Sequence, residues 1–367
     1  KKYVKNSTNI EINKPTQRLS IRKRIARQRR RLALRIRRFT SSKFHMSLVR
    51  EHASRRNEIL FHPAYTERWT DSKIALPEIT ISIVIYNSEK WLENYFKSLL
   101  LQNYTLSKIC LSIVDNGSSD NSVQLVENFI KFNKNKFLSI DFQKSANIGF
   151  GLGHNLACKN VSTEYILISN VDLEYLPDSL LNVVSFACSD DQDVSAWELR
   201  QIPYEHPKYY DPITLECSWN SHACVLLRTN SFRRIGGYHR GFFMYGEDVE
   251  ISARFRSAGY RIKYLPFATI VHFSQGESTK FRPLQFKGSI YATVILRIRY
   301  GGIRDVAESF LMLFRLFRDV KESSRRELAR DAVFEALRKA PSFFTERLLS
   351  PGRSKCLAFF GFDYELT

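Results

Sequence analysis

Two carboxylate signals stand about 75 residues apart in this chain, Asn170-Val171-Asp172 and Gly246-Glu247-Asp248. The first follows the apolar run Tyr165-Ile166-Leu167-Ile168. That run predicts a buried strand, with Asp172 just past its exposed end. The second follows Phe242-Phe243-Met244-Tyr245 and precedes a helix-like stretch. A carboxylate at a strand end can hold a divalent cation through its oxygens. A second, separate carboxylate can take a proton from an attacking hydroxyl. Together they suggest metal-assisted transfer of a group from a phosphate-bearing donor. Either acid alone would read as a solvated loop residue, so the meaning of the pair depends on the elements around it.

Those elements begin at Pro77. Ile79 to Ile85 reads as a strand, and Trp91, Leu92, Tyr95, Phe96, Leu99 and Leu100 recur at helical spacing. Ile109 to Val114 is a second strand ending at Asp115-Asn116-Gly117, after which Ser118-Ser119-Asp120 caps a helix carrying Val123, Val126, Phe129 and Ile130. A short strand over 138–142, a Gly-rich turn and helix over 147–157, and the strand ending at Asn170 complete the rhythm. Strand and helix in alternation predict an α/β fold with a mostly parallel, doubly wound sheet flanked by helices. In such sheets ligands bind beyond the carboxyl ends of the strands. Asp115, Asn147 and Asp172 all fall at such ends or in the loops that leave them.

Charge is unevenly spread over the 367 residues. Of the net +19, residues 1–75 carry +16 and the remaining 292 only +3. The basic character therefore belongs to the N-terminal extension and says little about the substrate of the main domain. Its densest part, residues 21–39, holds ten Lys/Arg, with Ile21, Ile25, Leu32, Ile36 and Phe39 near helical spacing. This predicts a basic amphipathic helix suited to an anionic membrane face. Almost no aromatic residues interleave it for base stacking, which argues against a specific nucleic-acid partner. Cys110, Cys158, Cys188, Cys217, Cys224 and Cys356 form no C-x-x-C pair, which suits free thiols in a reducing compartment. No apolar run reaches the length of a membrane span. The chain opens at Lys1 without a methionine or an apolar leader core and reads as a piece of something larger. Three regions are expected: the basic extension over 1–75, a main domain over 76–280, and a helical region over 281–367. In the last, Val306, Phe310, Leu313, Phe317 and Val320 form a stripe that would pack on the main domain or lie at a membrane.

The segment from Ile79 to about Ser278 resembles the inverting glycosyltransferases of family 2, which have the GT-A fold. It looks most like the rhamnosyltransferase-type members that build bacterial surface polysaccharides. The matching pieces run in the family's order. They are Ile83-Val84-Ile85-Tyr86-Asn87-Ser88, then Val114-Asp115-Asn116-Gly117-Ser118-Ser119-Asp120, then Asn147-Ile148-Gly149-Phe150-Gly151-Leu152-Gly153-His154-Asn155, then Asn170-Val171-Asp172. The last runs from Gly236-Gly237-Tyr238 through Phe242-Phe243-Met244-Tyr245-Gly246-Glu247-Asp248 to Val271-His272.

The resemblance implies roles. Asp115 would accept a hydrogen bond from a uracil or thymine imide, with Tyr86, Asn87 and Ser88 lining the same base pocket. Asn147 and Gly149 in the Gly-rich turn, and Asn170, would lie against the nucleotide. Asn170-Val171-Asp172 stands where the family has its D-x-D metal motif, with Asn in place of the first acid. Asp172 and His272 would hold Mn²⁺ or Mg²⁺, the imidazole favouring Mn²⁺. Asp248 would be the general base, preferred over Glu247, although adjacent acids on one loop can exchange these roles. Trp219, His222 and Tyr245 could face an acceptor sugar, with a packing role for Trp219 the competing reading.

The implied activity is transfer of rhamnose from dTDP-rhamnose to a lipid-linked surface glycan such as an O-antigen or capsule, at the cytoplasmic face of a bacterial membrane. A UDP-N-acetylglucosamine or other UDP-hexose transferase is the alternative, and a catalytically silent binding module of a larger polypeptide is the second. The expected partners are the nucleotide sugar, the glycan acceptor, the membrane face and further glycosyltransferase modules of the same polypeptide.

Overall fold

The computed structural model describes residues 75–203, 205, 208, 210–273, 281–320 and 322–349. The basic helix expected over 21–39 lies outside them. The chain divides into units 1–62 and 63–367, and all described residues belong to the second.

Eight strands form one sheet: β1 (Ile79–Ile85), β2 (Ile109–Asp115), β3 (Ser139–Lys144), β4 (Tyr165–Ser169), β5 (Leu173–Tyr175), β6 (Val194–Ile202), β7 (Cys224–Arg228) and β8 (Arg261–His272). Their order is β3-β2-β1-β4-β7-β6-β8-β5. β1, β2, β3 and β4 pair in parallel. β7 runs antiparallel to β4 and to β6, and β8 is parallel to β6. β6 and β8 therefore point the same way as β1 and β4. Only β7 and β5 oppose them, and the carboxyl ends of six strands share one edge of the sheet.

β1 explains why the sheet is covered on both faces. Its side chains alternate Ile79, Ile81, Ile83, Ile85 with Thr80, Ser82, Val84. The isoleucines are fully buried with Leu92, Tyr95, Phe96 and Leu99 of α1 (Glu89–Leu100) and Val126 and Phe129 of α2 (Ser122–Asn133). α4 (Ser179–Ser189) adds Leu180, Val183 and Val184 to this core. On the other face Ser82 Oγ bonds His154 Nδ1 of α3 (Phe150–Ala157) at 2.8 Å. Thr80 Oγ1 bonds Thr163 Oγ1 at 2.8 Å. That face carries a separate core with Phe232 of α5 (Thr229–Arg234) and Ile251 and Phe255 of α6 (Glu247–Ser257). A strand covered on both faces needs apolar or internally satisfied residues throughout, and β1 has them.

Helix α2 starts at Ser122, two residues beyond the expected cap. Asp120 accepts from the Ser122 amide and from the Glu89 amide, each at 3.0 Å, so one carboxylate serves the starts of α1 and α2. Glu89 reciprocates by accepting from the Asn121 amide at 3.2 Å. This pairing satisfies orphan helix-start amides and holds the β1 and β2 ends side by side.

After β8 come α7 (Pro283–Tyr300), α8 (Ile303–Asp319) and α9 (Ser323–Leu349). α7 is buried over most of its length and shares a third core with Trp219, Phe242, Val249, Ala253 and, from α9, Ala329, Ala332, Ala336 and Phe343. The C-terminal helices thus pack on the segment that carries Glu247 and Asp248. In the stripe read from the sequence, Leu313 is buried, while Phe310 is half exposed. Cys110, Cys158, Cys188, Cys217 and Cys224 are free thiols.

Candidate active site

The strand ends along the shared edge bring the predicted residues together. β1 ends at Ile85 in register with Asp115 at the end of β2, so Tyr86, Asn87 and Asp115 sit side by side. Asp115 is buried and accepts from the Ser118 amide at 3.1 Å. Asn87 adopts φ 48° and accepts from the Ser119 amide at 2.8 Å. Tyr86 is half exposed, whereas Ser88 is buried, with its hydroxyl accepting from the Tyr86 amide at 3.1 Å. Tyr86 and Asn87 therefore line the open side, with Asp115 buried at their base and Ser88 shaping their turn from beneath.

Asn116, which the sequence argument passed over, ties this corner to the Gly-rich turn. Its amide nitrogen donates to Asn147 Oδ1 and to the Gly149 carbonyl, both at 3.2 Å, and its oxygen accepts from the Ile148 amide at 3.1 Å. What approaches the glycines is the protein itself. At Gly149, φ +88°, a Cβ would lie 2.3 Å from the Phe243 carbonyl oxygen, and the Phe150 amide donates to that same oxygen at 2.9 Å. The turn at 147–150 is thereby joined to the loop that leads into Glu247 and Asp248.

Asp172 lies between β4 and β5, and His272 ends β8. Leu173 pairs with His272 across the β5–β8 ladder, which brings His272 Nε2 to 3.3 Å from Asp172 Oδ1. His272 Nδ1 donates to Gln201 Oε1 at 2.9 Å, which turns Nε2 toward Asp172. Two donors on a small divalent cation, each about 2.1 Å from it and at right angles, stand about 3 Å apart. An oxygen and an imidazole nitrogen at this separation fit a cation of the Mn²⁺ type. Among the described residues no group of three or more His, Cys, Asp or Glu could hold a metal ion, so the remainder of such a shell would come from the substrate and water. Asn170, where the family has an acid, is half-buried, and its amide donates to the Ala223 carbonyl at 2.8 Å.

Glu247 and Asp248 open α6, following Gly246 in the left-handed region at φ +90°. With Glu250 they place three acids in the first turn, where the helix dipole favours negative charge. Glu247 is buried and Asp248 half-buried. Asp248 Oδ1 accepts from the Val249 amide at 2.8 Å. Below them, burial first and then the Cys158, Glu247 and Asp248 charges push the Tyr238 hydroxyl well above its ordinary pKa. Tyr238 is hydrogen-bonded to His222 Nδ1. Burial holds both His222 and His154 down to about 3, so the two rings are neutral at neutral pH.

Trp219 and His222 are both buried. Trp219 lies in the core shared with α7, with Lys208 Nζ 4.1 Å from its ring centroid. Tyr245, at φ 70° on the loop before Gly246, is only half-buried. Of the three residues considered for an acceptor sugar, it is the one displayed at the rim.

The loop holding the acids is clamped by α7. Tyr300 Oη donates to Glu250 Oε1 at 2.8 Å, and Arg254 Nη2 lies 2.7 Å from Glu250 Oε2. Burial would raise the Glu250 pKa, but Arg254 and the Tyr300 hydrogen bond outweigh it and hold the carboxyl below its ordinary range. Tyr291 Oη donates to the Gly241 carbonyl at 2.8 Å. A Cβ on Gly246 would lie 2.3 Å from the Ala292 Cβ. Gly246→Ala is therefore expected to lower stability by about 2–4 kcal/mol, from left-handed strain plus overpacking against α7. Urea unfolding measures this, and a change under 0.5 kcal/mol, the range of ordinary surface substitutions, would show the joint to be loose.

Residues 80–251 match the model of Glycosyl transferase family 2. The chain is 22% identical over 242 residues to rhamnosyltransferase WbbL of Escherichia coli, covering 50% of this chain and 90% of that protein. It is 23% identical over 240 residues to N-acetylglucosaminyl-diphospho-decaprenol L-rhamnosyltransferase of Mycobacterium tuberculosis, covering 53% and 75%. Among solved structures, the mannosyltransferase PcManGT from Pyrobaculum calidifontis, in complex with GDP-Man and Mn²⁺, matches with a TM-score of 0.51 at 17% identity, over 83% of this chain and 96% of that one. TarS 1–349 of S. aureus, in complex with UDP-GlcNAc, matches with a TM-score of 0.51 at 15% identity, over 74% and 89%. Residues 80–251 thus carry a glycosyltransferase family 2 domain with the GT-A fold, and the chain is similar to rhamnosyltransferases.

Proposed function

We propose that this chain is an inverting, metal-dependent glycosyltransferase that moves rhamnose from dTDP-rhamnose to a hydroxyl of a lipid-linked surface glycan of the O-antigen or capsule kind. The observation that carries the reading is the approach of His272 Nε2 to Asp172 Oδ1 at 3.3 Å, on the sheet edge that also holds Asp115. The two rhamnosyltransferase relatives favour the donor sugar, and the name of the mycobacterial one favours a lipid-linked acceptor.

Asp115, with Tyr86 and Asn87, holds the base of the donor. Asp172 and His272 would hold a divalent cation, which when bound would supply positive charge against the diphosphate leaving group. Asp248 accepts the proton of the acceptor hydroxyl as that oxygen bonds to the anomeric carbon. The bond from that carbon to the diphosphate breaks on the opposite side, and the nucleoside diphosphate carries away the electron pair. One displacement from the face opposite the leaving group inverts the anomeric centre.

The test is hydrolysis and transfer across dTDP-rhamnose, UDP-N-acetylglucosamine, other UDP-hexoses and GDP-mannose, with Mn²⁺ or Mg²⁺. Fastest turnover of dTDP-rhamnose is expected. Preference for a UDP-sugar would replace the donor assignment, and no turnover of any donor with any acceptor would identify a silent module.

The work site is the inner face of a bacterial membrane. No helix of the described residues is long and apolar enough to cross a bilayer. Instead α8 turns Ile303, Phe310, Leu311 and Phe314 to solvent, with Arg304, Arg315 and Arg318 exposed on the same side. At 100° per residue the four apolar side chains fall within one stripe, with the arginines within and beside it. An apolar stripe edged by arginine suits the boundary between acyl chains and anionic headgroups. The double substitution Phe310→Glu with Phe314→Glu is expected to weaken binding to anionic vesicles by about tenfold or more, leaving donor hydrolysis in solution intact. Equal vesicle binding by both forms would remove α8 from the membrane.

A further inference from the structure

Gln201 lies on β6, opposite Ile270 of β8, and is almost fully buried. Its Oε1 accepts from His272 Nδ1 at 2.9 Å. Its Nε2 is buried with no hydrogen-bond partner. A buried amide hydrogen left unmatched is unfavourable, and a methionine of similar length would avoid it. The amide contributes an acceptor at Nδ1 that methionine lacks.

An imidazole has two nitrogens, and the hydrogen bond made by one decides what the other can do. With the Nδ1 proton given to Gln201, the Nε2 lone pair lies on the side of Asp172, whose Oδ1 is 3.3 Å away. A divalent cation between them would hold such a lone pair and carboxylate together. In the opposite tautomer Nε2 would carry the proton, donate it to Asp172, and be closed to a metal. Gln201 works against that tautomer from the far side of the ring.

We propose that Gln201 is a positioning residue for the divalent cation. It selects the His272 tautomer whose Nε2 lone pair faces Asp172, and so sets the affinity of the pair for metal. The proposal rests on the reading of Asp172 and His272 as the metal ligands.

The experiment is Mn²⁺ titration of the full chain, followed by the electron paramagnetic resonance of free Mn²⁺, with and without nucleoside diphosphate. Wild type is compared with Gln201→Met, Gln201→Glu and His272→Gln. Removing the outer partner of a ligating histidine typically costs about 10–100-fold in metal affinity, and Gln201→Met is expected to fall in that range. Gln201→Glu accepts the same Nδ1 proton with a charged oxygen and is expected to bind at least as tightly as wild type. The ¹⁵N shifts of His272 should report the Nδ1–H tautomer in the metal-free wild type and its loss in Gln201→Met, which a merely structural role would not produce. Equal affinity in wild type and Gln201→Met overturns the proposal alone, as does a tenfold loss in Gln201→Glu. A wild type that binds no Mn²⁺, or binds it no better than His272→Gln, overturns the ligand reading and the proposal with it. If Gln201→Met does not fold, Gln201→Glu and the wild-type tautomer carry the decision by the same criteria.

Discussion

Asp248→Asn is expected to lower turnover by roughly 10²–10⁴-fold, with affinity for nucleotide sugar close to that of wild type. The acceptor hydroxyl must lose its proton as its oxygen bonds to the anomeric carbon, and the amide cannot take it. The substitution is otherwise mild. The asparagine carbonyl can still accept from the Val249 amide, as Asp248 Oδ1 does at 2.8 Å, so the start of α6 is kept. The proposed nucleotide contacts lie elsewhere, at Asp115 and Asp172. Glu247→Gln should hurt less, or act through stability and acceptor affinity, because Glu247 is buried whereas Asp248 is half-buried. Steady-state kinetics with saturating acceptor, together with donor affinity by calorimetry, separate these outcomes. Near wild-type turnover in Asp248→Asn beside a dead Glu247→Gln would exchange the two roles. Full activity of both would remove this loop from the chemistry.

Asp172→Ala is expected to reduce transfer by about 10²–10⁴-fold, since charge neutralisation of a leaving group by a cation contributes several kcal/mol and each 1.36 kcal/mol is tenfold. The remaining imidazole is neutral as a ligand, and Asn170, at the other end of the motif, brings no charge to replace the lost carboxylate. Excess chelator should silence the wild type to a similar degree, and added Mn²⁺ or Mg²⁺ should restore the wild type but not the variant. Thermal melting of the variant checks that the β4–β5 connection is intact. Full activity of the wild type in excess chelator would sink the metal role of Asp172 and His272 together.

The first half of the main domain is legible from sequence because local rules and tertiary environment agree there. Ile79 to Ile85 reads as a strand whether considered alone or beside β2 and β4. The same holds for the helix of Leu92, Tyr95, Phe96 and Leu99, whose four residues are all buried on one face. Agreement ends after Asn170. β6 contains Glu198, Arg200 and Gln201, a poor pattern for a buried strand until its partners are in place. Glu198 is buried against Lys208, and Gln201 against His272. Lys208 comes ten residues after Glu198, past the end of the strand, and His272 comes 71 after Gln201, so the pattern of β6 alone shows neither partner.

By itself the sequence determined the α/β rhythm and the strand-end acids Asp115 and Asp172 with the later pair Glu247 and Asp248, features of short-range periodicity and residue chemistry that a linear reading can follow. His272 and the role of each acid came only with the resemblance to the family. Only the tertiary structure decided what surrounds each of them. Asp172 and His272 are neighbours because β5 turns back to pair with the end of β8, a contact across about 100 residues that leaves no local trace. Ser88, Trp219 and His222 went inside, although nothing in their local sequence separates them from rim residues. The loop carrying Asp248 is held by Tyr291, Ala292 and Tyr300 of α7, beyond the stretch that matches the family. A side chain's chemical type is written in the sequence, but its burial and its hydrogen-bond partners are properties of packing, which is set by contacts between segments far apart along the chain.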